Sequence, residues 1–385
     1  MKKLNLTKLE RNIMKNIDSD LASCNIGAAS LAVTQSGETV FKGHFGTQTQ
    51  LDGGALGDKT IFRLASMTKP VVSVAVGVLF DEKKLSLDDE IEKYIPCFKD
   101  LEIKTLDEKG ERITLGRVQT KPTLLHLLTH SSGIGSDAVS DYNLARMTPE
   151  QLATLESSMP VYAEGGAAFE PFTRQSYSPL EGLDIAARIV EIVSDSPFDE
   201  FMKKHICDPC EMKDMTFAPT PGQWNRMIQM HKKKDGKNAV ASAPTDAVFS
   251  DKFPITHFSG GGGLASTMAD YMNFAAMLLN KVVFGGQRVI SEEYLSLMSS
   301  PRLPESVMGG DNVWGLGVRV VCGKGYKRLP VGSFGWSGAY GTHFWVDPAN
   351  EITAVYMKNS LYDGGAGAVT AAEFEKAVTD ALKMF

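Results

Sequence analysis

From Pro70 to Phe80 the chain runs Pro-Val-Val-Ser-Val-Ala-Val-Gly-Val-Leu-Phe, apolar almost all round. Such a segment suits a helix sunk in a core, because a surface helix keeps one wet face. Pro70 falls in its first turn, where a missing N–H costs little. The fold must therefore surround this helix on every side. Just ahead of it stands Ser66-Met67-Thr68-Lys69. On a helix, positions i and i+3 share a face, so the Lys69 amine can reach the Ser66 hydroxyl. Ser66 also falls at the helix N-terminus, where the dipole favours developing negative charge.

A serine hydroxyl is a weak nucleophile until an adjacent base takes its proton. A buried lysine amine can be that base, so a buried Ser-Lys pair is a compact device for acyl transfer. The tetrapeptide alone is not specific. S-x-x-K arises by chance roughly once or twice in a chain of this length, and here it occurs once. A capping serine and a solvated lysine fit the same four residues. The rest of the chain has to decide.

With 385 residues, 43% of them hydrophobic, the chain can form about two or three ordinary domains, or one large body with an inserted subdomain. A formal charge of −6 argues against nucleic acid as a partner. The one basic run, His231-Lys232-Lys233-Lys234, leads into Asp235-Gly236-Lys237 and reads as a solvated hairpin turn. No stretch approaches roughly 18 uncharged apolar residues, so no membrane span is expected. The first residues, Met1-Lys2-Lys3-Leu4-Asn5-Leu6, lack the apolar core of a secretory signal and read as the start of an amphipathic helix. Five scattered cysteines fit a reducing compartment, so a cytoplasmic protein is expected. Cys207-Asp208-Pro209-Cys210 has redox-motif spacing but no thioredoxin-like context. No Cys/His cluster points to zinc, and no metal or cofactor is expected.

Strand patterns over Ala28–Val33 and Glu38–Gly43 flank a Gln35-Ser36-Gly37 turn. From about residue 81 to 255 the pattern is mostly helical, including Thr123–Thr129, Thr148–Met159 and Leu180–Ser194. A glycine run at 260–263 precedes a helix over Met268–Leu279, with Ser266-Thr267 as its cap. Strands return over Trp314–Val321, Arg328–Phe334, Thr342–Val346 and Ile352–Lys358, and a helix covers 370–384. This order implies an α+β body in which the first and last thirds share an antiparallel sheet flanked by helices. Residues 1–80 and 256–385 would form that body, and 81–255 an inserted, mainly helical subdomain. Lid elements are expected around Ser136–Arg146 and Gln229–Phe249.

A Ser-Lys nucleophile needs a proton relay, donors for the oxyanion and a wall for the substrate. Gln175-Ser176-Tyr177-Ser178-Pro179 could aim a phenol at the pair from a loop. Gly335-Trp336-Ser337-Gly338-Ala339-Tyr340-Gly341 offers small residues at a strand edge, where N–H groups can approach a carbonyl oxygen. The order Ser66-x-x-Lys69, Tyr177-Ser178-x and Trp336-x-Gly338 resembles the serine β-lactamase-like superfamily with its penicillin-binding-protein-like fold. The likeness is greatest to the class C β-lactamase-related esterases called family VIII carboxylesterases. Three further segments carry it: Leu125–Gly133 (LHLLTHSSG), Gly261–Thr267 (GGGLAST) and Gly341–Pro348 (GTHFWVDP).

The resemblance implies that Ser66 is acylated, that Lys69 accepts its proton and that Tyr177 shares the proton network. It implies an oxyanion hole from the backbone N–H groups of Ser66 and Ala339, and a substrate site formed by Trp336, Ser337, Gly338 and Pro179. Penicillin-recognising members usually have a lysine or histidine where Trp336 stands, and an asparagine where Pro179 stands. Loss of that cation and that amide disfavours β-lactams and peptides and favours neutral esters. The expected activity is a carboxylesterase acting on a small-molecule ester. A D-amino-acid amidase or peptidase, an acyltransferase or a weak β-lactamase would use the same site, and the intact Ser66, Lys69 and Tyr177 argue against a non-catalytic binding module. His130, His257 and His343 are expected to be structural, and no G-x-S-x-G elbow occurs.

Overall fold

The structure, a computed structural model, describes residues 1–47, 49–241, 255–307, 310–323 and 325–382. One antiparallel sheet of seven strands organises it. The strands are β1 (Ala28–Gln35), β2 (Glu38–Gly46), β3 (Asn312–Trp314), β4 (Arg319–Val321), β5 (Phe334–Ser337), β6 (His343–Asp347) and β7 (Ile352–Met357), in spatial order β3-β4-β5-β6-β7-β1-β2. β1 pairs with β7, Ser30 opposite Met357 and Gln35 opposite Ile352, so the two ends of the chain meet inside the sheet. The β1–β2 turn takes left-handed φ at Ser36 (52°) and Gly37 (82°), the twist a two-residue hairpin needs.

Helices α1 (Leu6–Ala22) and α5 (Val369–Asp380) cover one face, where Leu9, Ile13 and Ile17 pack with Leu31, Trp345 and Phe374. On the other face α4 (Met268–Leu279) packs against β7 and β6, and α2 (Thr68–Asp81) and α3 (Glu181–Ser194) pack on each other in the same core. Every residue of α2 from Thr68 to Leu79 is buried, as its apolar sequence requires. Thr267 caps α4 by accepting from the Asp270 N–H.

Several elements differ from the sequence reading. The helix expected over Thr148–Met159 runs instead over Leu155–Gly165, because Thr154 and Ser157 form a capping box. It continues through Pro160, with Leu155, Met159 and Tyr162 buried against the core. Trp314–Val321 is two strands. Gly315 and Gly317 make the break, where Gly317 has φ of 68° and its N–H donates to Leu128 O at 2.8 Å. Arg328–Phe334 is irregular until Phe334, since Pro330 cannot donate and Gly332 turns with φ of 89°. The region between the sheet halves carries hairpins at Glu102–Leu106/Arg112–Arg117 and His231–Lys234/Lys237–Val240 among its helices. Of the expected lid segments, Asp137–Leu144 is a helix, and residues 242–249 of the other lie outside the described residues. The helix expected to reach residue 384 ends at Asp380, and 383–385 are likewise outside.

Candidate active site

Ser66 lies in a single turn of 3-10 helix, Ala65–Met67, at the head of α2. Two clamps hold this turn. The Leu64 N–H donates to Leu264 O at 2.8 Å. The Thr68 hydroxyl donates to Ala65 O at 2.7 Å while accepting from the Leu264 N–H at 3.1 Å. Ala65 has φ of 48°, a left-handed conformation that costs energy in a residue with a Cβ and often marks a functional position.

Lys69 is wholly buried, which removes the solvated-lysine reading. Its Nζ lies 3.2 Å from Ser66 Oγ and donates to Pro179 O and Gly261 O, both at 2.6 Å. Tyr177 Oη donates to the same Ser66 Oγ at 2.6 Å. Three side chains named from distant segments thus converge on one oxygen.

His130 holds the Tyr177 loop. Its carbonyl accepts from the Ser176 N–H at 3.0 Å, and its Nδ1 accepts from the Ser178 N–H at 3.1 Å. Burial, and then the Lys69 charge, keep the imidazole pKa well below its ordinary value, so the ring is neutral and can accept. This is the structural histidine that the sequence suggests. The ring packs 4.8 Å from Tyr177 and 4.2 Å from Trp314. His126 stands four residues before His130, a metal-pair spacing the sequence reading passed over. Its Nδ1 accepts from the Thr123 N–H at 3.1 Å. Among the described residues no three His, Cys, Asp or Glu side chains are grouped to hold a metal ion. Burial pushes the thiol pKa of Cys207 well above its ordinary value and that of Cys210 to about 12, so both are poor thiolates.

The end of β5 abuts the Ser66 turn. Thr342 Oγ1 donates to Leu64 O at 2.7 Å, and the Gly338 N–H donates to Thr342 O at 2.7 Å. A Cβ on Gly338 would stand 2.1 Å from Leu64 O, so only glycine permits this approach. Ala339 follows, exposed, and among the described residues its N–H has no acceptor. Trp336 forms a wall with ring centroids 4.3 Å from Trp314 and 5.4 Å from Tyr177. Ser337 does not join this group. The strand alternation turns its hydroxyl toward His343 Nδ1, 2.8 Å away, in a buried position. Pro179 contributes its carbonyl to Lys69.

Two groups escaped the sequence reading. Trp314 completes the aromatic wall, and Gln175, with its amide oxygen turned inward, accepts from the Trp314 N–H (3.1 Å) and indole Nε1 (2.9 Å). The other is Asp184, fully buried on α3. It accepts from the Gly261 N–H and the Ser259 hydroxyl, both at 2.8 Å, and from Tyr162 Oη at 2.9 Å; His257 Nε2 is 3.5 Å away. Burial opposes its ionisation, but His257 and these donors outweigh burial and hold its pKa below the ordinary value. No local pattern marks an aspartate on an apolar helix for this task.

A seven-stranded antiparallel sheet with a buried Ser-x-x-Lys helix and a tyrosine loop defines a class: serine hydrolases of the β-lactamase fold. The chain belongs to the Beta-lactamase family, whose family model matches residues 7–377. It is similar to Protein Rv1367c of Mycobacterium tuberculosis, 27% identical over 374 residues that cover 89% of this chain and 90% of that one. It is similar to Esterase EstB of Burkholderia gladioli, 24% identical over 376 residues that cover 90% of this chain and 89% of that one. Among solved structures it resembles EstCE1, a hydrolase with promiscuous acyltransferase activity. The TM-score is 0.78 at 18% identity, covering 97% of this chain and 99% of that one. Among the described residues no helix is long and apolar enough to cross a membrane.

Proposed function

We propose that the protein is a carboxylesterase that cleaves small esters through an acyl-Ser66 intermediate. The observation that carries this reading is the convergence of Lys69 Nζ (3.2 Å) and Tyr177 Oη (2.6 Å) on Ser66 Oγ. Lys69 Nζ directs two N–H groups at the Pro179 and Gly261 carbonyls and its third position at Ser66 Oγ, and once deprotonated that third position holds a lone pair for the Ser66 proton. As Ser66 Oγ bonds to the ester carbon, that proton passes to Lys69 and the carbonyl oxygen becomes an oxyanion. The Ser66 and Ala339 N–H groups would receive the oxyanion. Its collapse breaks the bond to the alcohol oxygen, which takes a proton from Tyr177, resupplied by Lys69. Water then attacks acyl-Ser66, losing a proton to the same pair; the acid leaves and Ser66 regains its proton.

The esterase EstB among the relatives and the uncharged Trp336 support an ester substrate, while other relatives, 24–26% identical, are named "Putative D-alanyl-D-alanine carboxypeptidase". Transfer of the acyl group to an alcohol in place of water is the second reading, supported by the promiscuous acyltransferase activity named for the structural neighbour EstCE1. Five unpaired cysteines fit the cytoplasm as location. A fluorophosphonate probe tests the core of the proposal. Mass spectrometry should find its adduct on Ser66 and none in the Lys69→Ala protein. An unlabelled wild-type Ser66 would refute it.

A further inference from the structure

The Ala339 N–H proposed for the oxyanion belongs to the peptide unit that joins Ala339 to Gly338. A trans peptide is planar, so whatever holds the Gly338 carbonyl aims the Ala339 N–H in the opposite direction. Two donors hold that carbonyl. The Gly341 N–H reaches it at 2.9 Å from within the same turn, and the Gly365 N–H reaches it at 2.9 Å from another segment. Bonds to the carbonyl also polarise the peptide and make its N–H a stronger donor. The Ser360 N–H donates to Tyr340 O at 3.0 Å, so the loop 360–367 grips the turn at two points. A Cβ on Gly364 would stand 1.7 Å from Ala339 O, so backbone meets backbone with no side chain between.

A buried ion pair spans the base of this loop. Lys358 follows β7, and its side chain is wholly buried. Its stem lies against the Gly341 backbone, where a Cβ would meet Lys358 Cε at 2.1 Å. Lys358 Nζ pairs with Asp363 Oδ2 at 2.9 Å. Asp363 also caps α5. Its Oδ1 accepts from the Val369 N–H at 2.5 Å, and its Oδ2 from the Thr370 hydroxyl at 2.7 Å. The residue takes a left-handed φ of 49°, a conformation that a side chain other than glycine holds only where its contacts require it. Burial opposes ionisation of Asp363, but Lys358, Thr370 and Val369 hold its pKa below the ordinary value. One carboxylate thus ties the lysine beside Gly341 to the start of α5, immediately before Gly364 and Gly365.

We propose that Lys358 and Asp363 are positioning residues for the oxyanion donor at Ala339. Among the described residues neither side chain hydrogen-bonds to Ser66, Lys69 or Tyr177. Their pair sets where Gly364 and Gly365 stand against the Gly338–Gly341 turn, and Gly365 sets the direction of the Ala339 N–H. Charge develops on the ester carbonyl oxygen only as Ser66 attacks. Loss of the pair therefore weakens binding of the transition state and leaves binding of the substrate nearly intact.

The proposal rests on the reading of Ala339 as an oxyanion donor, so the experiments separate the two ideas. Lys358→Met keeps the buried stem and removes the charge, and Asp363→Asn keeps the shape. In each, kcat for p-nitrophenyl butyrate should fall ~10-fold with KM changed less than ~3-fold. 1-Butylboronic acid should bind each ~10-fold more weakly, because its adduct with Ser66 Oγ is an anionic tetrahedron with an oxygen at the oxyanion position. Urea denaturation checks that each variant is folded under assay conditions. Should a single variant unfold, the double replacement leaves no buried charge unpaired and carries the same expectations. Unchanged kcat and boronate affinity in the folded variants would overturn the proposal. Gly364→Ala, which displaces Ala339 directly, is the reference. Boronate affinity unchanged in Gly364→Ala would remove Ala339 from the oxyanion site, and the proposal with it. A last readout needs no turnover. Amide hydrogen exchange over Gly338–Gly341 should quicken ~5-fold or more in Lys358→Met. Unchanged exchange there would overturn the hold of the pair on the turn whatever the catalytic result.

Discussion

Asp184 and Lys69 are joined through one residue, Gly261: its N–H donates to Asp184 at 2.8 Å and its carbonyl accepts from Lys69 at 2.6 Å. Asp184 thus sets where the lysine can stand without touching it. Asp184→Asn keeps the shape and should lower kcat for p-nitrophenyl butyrate ~10-fold with KM changed less than ~3-fold. Asp184→Ala strands several buried donors and should lose about 3 kcal/mol or more by urea denaturation. Unchanged kcat in folded Asp184→Asn would show that the residue serves stability alone.

Lys69 and Tyr177 meet Ser66 directly, so their loss should act on kcat. Lys69→Ala and Tyr177→Phe should each cost at least ~100-fold in kcat/KM, the scale of acid–base partners. A loss of a few-fold at Lys69 would mean that another base operates.

Gly338 controls the gap between β5 and the Ser66 turn. An added methyl meets Leu64 O at 2.1 Å and Thr342 Oγ1 at 2.2 Å, so the strand must retreat. Gly338→Ala should lower kcat ~100-fold by drawing Ala339 away from the oxyanion position. Normal turnover in this variant would place the oxyanion donors elsewhere.

Glu181 gives stability a pH slope. Burial, and then the Asp184 charge, push its carboxyl pKa from 4.5 up to about 8. Between those values the folded chain holds a proton that the unfolded chain has released. Stability should therefore fall as pH rises through that window, by at most about 1.4 kcal/mol per unit. Glu181→Gln keeps a neutral group there and should flatten the slope, with its largest stabilisation near the upper end. Parallel slopes for both proteins would show that Glu181 ionises normally.

The sequence carried the parts whose signals are local. The all-round apolar run marked α2, Thr267 marked the start of α4, and Ser36-Gly37 marked the first hairpin. What it could not carry was set by contacts far along the chain. Trp314 read as a strand residue, and only the packing of β3 beside β5 makes it a wall of the site. Asp184 read as one polar residue on an apolar helix, because its partners Ser259 and Gly261 lie in another segment. Ser337 was grouped with Trp336 by motif, yet strand alternation sends neighbouring side chains to opposite faces. The break at Gly315–Gly317 was hidden by a strand-like run on either side of it.

Turnover of p-nitrophenyl butyrate and of nitrocefin, in one buffer, by wild type and Ser66→Ala, tests the central claim most directly. Wild type should cleave the ester well and nitrocefin poorly, and Ser66→Ala should lose ~1000-fold or more on the ester while melting at the same temperature. Ester cleavage by Ser66→Ala within tenfold of wild type would contradict an acyl-Ser66 mechanism.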